Sequence, residues 1–278
     1  MNSIKISDHD FYYYDSTDPV ISYLKNGQLF GSNNYFILNA FIQEDNHDGW
    51  IIDCGSHIGT FGFLPAINKQ NILMIDGASK NIECLQQTFR NLPNAKIEQC
   101  ILLDKVAKCN FSSDYGPFGS ASLSDDGDQV SDTLDNIVKK HNIDKVIALK
   151  IDIEGNEYEA INGAMNTINK FLPPILLEMN GYCLIKHNKT PQVLLKLMED
   201  IGYLCFLPHQ HGLIPFFSTS KFPFCVEDLI CIHKNNLYKY IGKYGIANKV
   251  SDERINEIIE NSQKTSNNEC KEYFDSIL

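Results

Sequence analysis

The fold class of this chain is decided by one stretch, Trp50-Ile51-Ile52-Asp53-Cys54-Gly55-Ser56-His57-Ile58-Gly59-Thr60. An apolar run ends in an acid, Asp53, and two glycines four positions apart, Gly55 and Gly59, follow it. This order is typical of a buried strand that turns sharply into a helix, where glycines admit a ligand and the helix start presents N–H groups to it. The stretch predicts the first strand–helix unit of an α/β sheet with a ligand at the turn. A tight turn without a ligand is the alternative.

The kind of ligand is indicated by His57 and Asp53. A dinucleotide-binding turn has a further glycine where this chain has His57, and that glycine lets the pyrophosphate come close. A carboxylate at Asp53 repels a diphosphate and attracts an ammonium group. The turn therefore favours a cationic ligand that carries an amino acid over NAD.

A second acid, Asp76, follows the next strand candidate, 21 positions after Gly55. In doubly wound folds a carboxylate about 20 residues after the first glycines holds the ribose hydroxyls. Asp53 and Asp76 together therefore predict a nucleoside ligand. The alternative is that Asp76 is only a turn residue before Gly77.

A third acidic segment follows the apolar run that begins at Val146 and contains Asp152 and Glu154. A further apolar run, downstream, ends in Glu178. In open α/β sheets the carboxyl ends of the strands form the ligand crevice, so we expect these acids to converge on one rim. Glu154 and Glu157 have a second interpretation, as acids that suit the first turn of a helix.

Around these segments, short β-rich runs alternate with segments of helical period, which predicts a doubly wound, mostly parallel α/β sheet covered by helices. Thr190-Pro191 is typical of a helix start, and Gly202 is typical of the residue after a helix end. The seven strand candidates are Trp50–Cys54, Ile72–Ile75, Lys96–Ile101, Val146–Ile153, Pro174–Met179, Tyr203–Phe206 and Asp228–His233.

The chain is expected to have an N-terminal cap, a ligand-binding domain and a C-terminal helical tail. A helix in the tail is indicated by Ile255, Ile258 and Ile259. The segment Ser112–Asp132 is rich in Ser, Gly and Asp and is expected to be a long loop that serves as a lid or binding loop. The three parts are residues 1–45, 46–238 and 239–278.

Composition argues against several classes of partner. The 278 residues have a net charge of −11, and Arg90 and Arg254 are the only arginines, so nucleic acid is not expected to bind. No apolar run approaches the about 20 residues of a membrane span. Nine cysteines without a Cys-x-x-Cys pair indicate reduced thiols. We expect a cytoplasmic protein without a transmembrane segment.

The motifs occur in the order seen in the FkbM-type methyltransferases, which this chain resembles over about residues 48–235. The resemblance implies an S-adenosylmethionine-dependent enzyme with the seven-stranded class I methyltransferase sheet, which methylates a hydroxyl of a sugar, glycolipid or natural-product acceptor. Asp76-Gly77 departs from the Glu-Pro usual in the family. The matching motifs are Asp53–Thr60, Ser122-Leu123, Thr133–Asp135, Lys150–Glu157, Gly163-Ala164, Pro174–Glu178 and Glu227–Lys234.

The resemblance also leads to residue roles. Glu154 is expected to orient or deprotonate the acceptor hydroxyl, with Asp152 beside the methionine portion of the cofactor and Glu178 on the far wall. His57 and His187 are alternative bases, although a lone loop histidine is more often solvated. The residues expected to bind the cofactor are Asp53, Gly55, His57, Gly59, Asp76 and Asp152.

Three alternatives stay open. In the first, the acids expected at the rim of the sheet hold a divalent metal ion, which acidifies the acceptor hydroxyl. In the second, the chain is a methyltransferase-fold subunit that binds cofactor without turnover. The third, another nucleoside-dependent transferase such as a nucleotide-sugar enzyme, is disfavoured because two arginines are few for a diphosphate. The sequence does not indicate the acceptor or the oligomeric state.

Overall fold

The computed structural model describes residues 1–6, 8–14, 17–42, 48–112, 120–124, 126–209, 212–219 and 226–237. The helix expected around Ile255 lies outside these residues. The chain divides into two compact units, the first spanning Met1–Leu177 and the second beginning at Glu178. Across the described residues, no helix combines the length and the apolar character needed to cross a membrane.

The described elements alternate between strands and helices along most of the chain. The strands are β1 (Asn2–Ile6), β2 (His9–Tyr13), β3 (Trp50–Cys54), β4 (Asn71–Asp76), β5 (Ala95–Gln99), β6 (Ile101–Leu102), β7 (Ala107–Ser112), β8 (Ser120–Leu123), β9 (Gln129–Asp132), β10 (Val146–Ile151), β11 (Ile175–Asn180), β12 (Tyr203–His209), β13 (Gly212–Phe216) and β14 (Val226–His233). The helices are α1 (Pro19–Lys25), α2 (Ser32–Ala40), α3 (Thr60–Ile67), α4 (Ser79–Thr88), α5 (Leu134–Lys140), α6 (Glu157–Asn162), α7 (Met165–Phe171), α8 (Gly181–Lys186) and α9 (Pro191–Asp200).

The centre of the first unit is a parallel arrangement of β10, β3, β4 and β5. Ile52, Leu73 and Leu149 on these strands are fully buried. Strands covered on both faces need apolar side chains on both, which is why their sequences are nearly continuous apolar runs. This parallel core confirms the predicted α/β class.

The large sheet has eight strands, in the order β13-β12-β14-β11-β10-β3-β4-β5, where the sequence predicted seven. The additional strand is β13, which pairs antiparallel with β12. It was missed because it contains Gly212 and Pro215, two residue types that are depleted in strands. Pro is tolerated in β13 because an edge strand does not need every N–H group for pairing.

The segment Ser112–Asp132 is not a single long loop, as the sequence predicted. Two strands, β8 and β9, lie within it and pair antiparallel with β7 in a separate four-stranded sheet. Residues 113–119 and 125 lie outside the described part. A composition rich in Ser, Gly and Asp disfavours strands locally, but the backbone hydrogen bonds of a ladder outweigh that preference here.

The N-terminal segment, whose fold the sequence did not indicate, forms the antiparallel hairpin β1–β2 followed by α1 and α2. Phe11 of the hairpin is fully buried, and its ring lies 4.7 Å from that of Phe63 on α3, centroid to centroid. Asp18 begins α1 as its N-cap, with its side chain accepting from the N–H of Val20. The hairpin therefore packs on α3, the helix that follows the glycine turn after β3.

The predicted boundaries of α9 are confirmed. Thr190 is the N-cap and its side chain accepts from the N–H of Val193, with Pro191 in the first turn. Gly202 follows the C-cap with a φ of +85°, a backbone conformation that glycine adopts without the steric cost a Cβ brings.

Candidate active site

The candidate site lies at one edge of the first unit, where β3, β4 and β10 end. Because the three strands are parallel, their carboxyl ends meet at the same edge. Asp53 stands opposite Lys150 of β10 in the ladder, and Asp76 is the last residue of β4. Asp152 follows β10 directly, and its N–H donates to the carbonyl of Cys54 at 3.0 Å. The sequence therefore predicted three acids that the structure places at this edge.

Asp53 is a buried carboxylate with an internal cation beside it. Its side chain has no exposed surface, and among the described residues neither of its carboxylate oxygens has a hydrogen-bond partner. Lys150 Nζ lies 3.6 Å from Asp53 Oδ1 and 2.7 Å from Asp152 Oδ2. Burial raises the pKa of Asp53 to about 6, although the charge of Lys150 opposes the shift. The ammonium group expected from a ligand is thus partly supplied by Lys150.

Gly55 is required by the approach of the chain that follows β10. Its φ is +85°, and a Cβ built there would overlap the carbonyl oxygen of Asp152. Gly59 has a φ of +90°, and its Cβ would lie 2.5 Å from Phe89 Cε2 and 2.7 Å from Leu85 Cδ2. Both glycines therefore have a reason within the fold itself, in addition to the ligand approach that the sequence suggested.

The turn between β3 and α3 is tied to β4 through its backbone. The N–H groups of Gly55 and Ser56 both donate to the carbonyl of Ile75, at 2.9 and 3.0 Å. The hydroxyl of Ser56 accepts from the N–H of Ile75 and donates to the carbonyl of Asp53. Because the N–H groups of Gly55 and Ser56 are used within the chain, the start of the turn does not offer them as donors to a ligand.

Asp76 uses both carboxylate oxygens to hold its neighbourhood. Oδ2 accepts from the N–H of His57 at 2.8 Å, and Oδ1 accepts from the N–H of Ala78 and from Asn81 Nδ2 at 2.9 and 3.1 Å. Burial raises the pKa of Asp76, and these hydrogen bonds limit the rise. A carboxylate has about four acceptor positions, so Asp76 can accept one more donor without giving up these three.

His57 is paired rather than solvated. Its Nε2 lies 2.9 Å from Asp18 Oδ2, and 26% of its side chain is exposed. Burial lowers the pKa of His57, but the hydrogen bond and charge of Asp18, together with Asp76 and Asp152, outweigh burial and raise it above its ordinary value. The sequence carried no signal for this pair, because Asp18 and His57 lie in different segments.

The segment after β10 makes a strained turn around Glu154. Glu154 has a φ of +57° and Gly155 one of +109°. Glu157 is fully buried, and its Oε1 accepts from the N–H groups of Ile153 and Gly155 at 3.1 and 3.0 Å. Glu157 is the first residue of α6, as its interpretation as a first-turn helix acid predicts, but its side chain is buried and holds the preceding turn.

Glu178 is the first residue of the second unit and lies in β11 with 8% of its surface exposed. His187 is the C-cap of α8, also in the second unit. The roles expected of these two residues in the chemistry stay predictions.

The family model of the methyltransferase FkbM domain matches residues 53–205, which is more than half of this chain. The chain belongs to this family. The matched region begins at Asp53 and includes Asp76, Asp152 and Glu154. Asp18 lies outside it. No curated protein matches the chain at a significant level.

Solved structures with a similar fold share little sequence with this FkbM-family chain. An FkbM methyltransferase from Methylobacillus flagellatus is 16% identical over 77% of this chain and 52% of its own, with a TM-score of 0.44. A TehB-like SAM-dependent methyltransferase from Corynebacterium glutamicum is 16% identical over 76% of this chain and 91% of its own, with a TM-score of 0.42. The chain thus spans about half the length of the Methylobacillus FkbM protein.

The family implies S-adenosylmethionine as methyl donor, and the charges of the site can be tested against it. Asp53 has buried acceptor oxygens without hydrogen bonds to the described residues, and Asp76 lies at the end of the adjacent strand. Acceptors at two neighbouring strand ends suit a ligand with an ammonium group and ribose hydroxyls. A diphosphate fits poorly, because carboxylates surround the turn and Lys150 is already held by Asp152. The residues present therefore fit the implied donor.

Proposed function

We propose that this FkbM-family protein is an S-adenosylmethionine-dependent methyltransferase that methylates a hydroxyl oxygen of a sugar, glycolipid or natural-product acceptor. The observation that carries the proposal is the pair of acids, Asp53 and Asp76, at the ends of adjacent parallel strands beside the glycine turn. Together with the family match, this pair favours an amino-acid-bearing nucleoside as ligand.

Each residue of the candidate site has a proposed task. Asp53 attracts the ammonium group of the cofactor, and Asp76 accepts from the ribose. The cofactor supplies an electrophilic methyl group when bound. Glu154 orients the acceptor hydroxyl or takes its proton, and this task needs the acceptor oxygen about 3 Å from the methyl carbon. Asp152, whose carboxylate is paired with Lys150, lies beside the methionine portion.

The binding part of the proposal is tested by calorimetry with S-adenosylhomocysteine and NAD. We expect S-adenosylhomocysteine to bind and NAD not to bind. Asp76→Ala should weaken binding by roughly 1.5–3 kcal/mol, the scale of a hydrogen bond to a charged group, and 2'-deoxy and 3'-deoxy analogues should bind the native protein less well. Asp144→Ala is the control, because Asp144 is exposed and precedes the opposite, amino end of β10. Preferential binding of NAD would overturn the proposal.

The chemical part is tested with labelled methyl donor and a panel of glycan, lipid-linked and small hydroxyl acceptors. With a working acceptor, Glu154→Gln should lower turnover by about 10²–10⁴-fold at equal cofactor occupancy, as expected for loss of a general base. Inhibition of the native protein by a chelator, with recovery on adding Mg²⁺ or Mn²⁺, would instead favour the metal alternative. Cofactor binding without turnover on any acceptor would favour the binding-subunit alternative.

A further inference from the structure

We infer that Asp18, in the N-terminal segment and outside the matched family region, is a positioning residue of the cofactor site that acts through His57 on Asp76. The inference rests on the proposed function, because it concerns how the ribose is held. It extends the site beyond residues 53–205, since the N-terminal segment then contributes a residue to it.

Asp18 uses its two carboxylate oxygens for different partners. Oδ1 accepts from the N–H of Val20 at 2.8 Å and so begins α1. Oδ2 lies 2.9 Å from His57 Nε2, and only 11% of the Asp18 side chain is exposed. One residue thus joins the start of α1 to the turn after β3.

His57 transmits this contact to Asp76. Its backbone has a φ of +50°, in the left-handed region that costs a residue with a Cβ about 1–2 kcal/mol. Its N–H donates to Asp76 Oδ2 at 2.8 Å. Because Asp18 holds the ring while Asp76 holds the backbone, the orientation of the Asp76 carboxylate depends on both contacts.

The charges around His57 make the connection dependent on its protonation. Asp18 at the start of α1, Asp76 at the end of β4 and Asp152 after β10 act on His57 from three elements, and all three charges favour the imidazolium form. Loss of the proton removes the attraction that draws the ring to Asp18. We therefore expect the His57 N–H to hold the Asp76 carboxylate less firmly, and the ligand to bind less tightly, as the pH rises past the pKa of His57.

The alternative is that Asp18 does nothing more than cap α1. Asn is as good an N-cap as Asp, so Asp18→Asn keeps the acceptor for Val20 and removes the charge that faces His57. A role limited to capping predicts no effect of this variant on the cofactor. Asp10→Asn is the matched control, because it removes the same charge from an exposed position of the same segment.

The test measures binding of S-adenosylhomocysteine and its 3'-deoxy analogue by calorimetry. Asp18→Asn should weaken the parent ligand by about 5- to 10-fold, less than the loss of a direct hydrogen bond to a charged group because Asp18 acts through His57, and should reduce the preference for the parent over the deoxy analogue. In an Asp76→Ala background the same change should have little further effect, since coupled residues are non-additive. Asp10→Asn should behave as the native protein.

A second readout is the pH profile. NMR titration of His57 should follow the loss of affinity with rising pH in the native protein, and both curves should move to lower pH in Asp18→Asn. If Asp18→Asn does not fold, His57→Asn replaces it, because Asn tolerates the left-handed backbone and keeps the N–H group. That variant should show the same loss of affinity and of discrimination.

The outcomes separate this inference from the proposed function. If the native protein binds S-adenosylhomocysteine and Asp18→Asn binds both ligands with native affinities, the inference is overturned and the proposed function stands. If the native protein does not bind S-adenosylhomocysteine at any pH, the proposed function is overturned, and the inference with it.

Discussion

At the scale of single residues, Glu157 shows how a buried carboxylate organises a turn. Its Oε1 accepts two backbone N–H groups and so holds the segment that contains Glu154. Among the described residues its other oxygen, Oε2, has no hydrogen-bond partner. Burial raises the pKa of Glu157 from 4.5 to about 7. The residue is therefore a pH-dependent part of the fold, next to the proposed base.

The pH dependence of stability tests this view of Glu157. Between pH 4.5 and about 7, the folded protein keeps a proton at Glu157 that the unfolded chain has lost, so the free energy of unfolding falls as pH rises. Glu157→Gln removes this contribution. Relative to that variant, the native protein should lose up to roughly 3 kcal/mol between pH 4.5 and 8, measured by urea unfolding.

The comparison with the variant is needed because Asp53, whose pKa is also raised, gives a slope of the same sign. Asp144→Asn, at an exposed position before β10, serves as the control and should have the native slope. Parallel pH curves for the native protein and Glu157→Gln would show that Glu157 does not titrate in this range.

At the scale of elements, three strand ends are locked together around the turn after β3. The N–H groups of Gly55 and Ser56 bond to β4, and the N–H of Asp152 bonds to the last residue of β3. This close approach leaves no room for a side chain at Gly55. The same residues thus maintain the fold and shape the candidate site, so a glycine substitution alone does not separate the two roles.

A pair of glycine substitutions tests the close approach. Gly55→Ala should destabilise the protein by about 3 kcal/mol or more, because the left-handed backbone penalty adds to the overlap with the Asp152 carbonyl. Gly27→Ala should cost only about 1 kcal/mol, since Gly27 has a φ of +73° with nothing within 4 Å of a built Cβ. Equal shifts in denaturant unfolding would contradict the importance of the close approach.

At the scale of the whole molecule, the net charge of −11 has the same sign as the candidate site. Carboxylates of Asp18, Asp53, Asp76 and Asp152 lie around the turn, and Lys150 and His57 offset them only in part. Such a field attracts a cation and is screened by salt. S-adenosylmethionine carries one positive charge more than S-adenosylhomocysteine, so the two ligands should respond differently to ionic strength.

The expected result is a salt-dependent preference. Raising ionic strength from 20 to 500 mM should lower the affinity for S-adenosylmethionine about 2- to 5-fold more than that for S-adenosylhomocysteine, because the Debye length falls from about 20 Å to about 4 Å and the longer-range attraction to the acids is screened. Competition binding at several salt concentrations measures the ratio. A ratio independent of salt would mean that the acids do not act on the sulfonium charge.

The amino-acid sequence by itself determined the features that depend on neighbours along the chain. The apolar run and glycines of residues 50–60 specified the first strand–helix unit, and Thr190-Pro191 with Gly202 specified the bounds of α9. Asp53 and Asp76 could be placed at one sheet edge because parallel strands end on the same side. The motif order gave the family, which the match to residues 53–205 confirmed.

Only the tertiary structure decided which distant residues meet. The contact of Asp18 with His57, the position of Lys150 near Asp53, and the pairing of β8 and β9 with β7 join segments that are separated in sequence. The burial of Glu157 also depends on tertiary packing rather than on the residues next to it in the sequence. A local pattern records the conformational preference of a segment, whereas these contacts depend on the net free energy of packing many segments together.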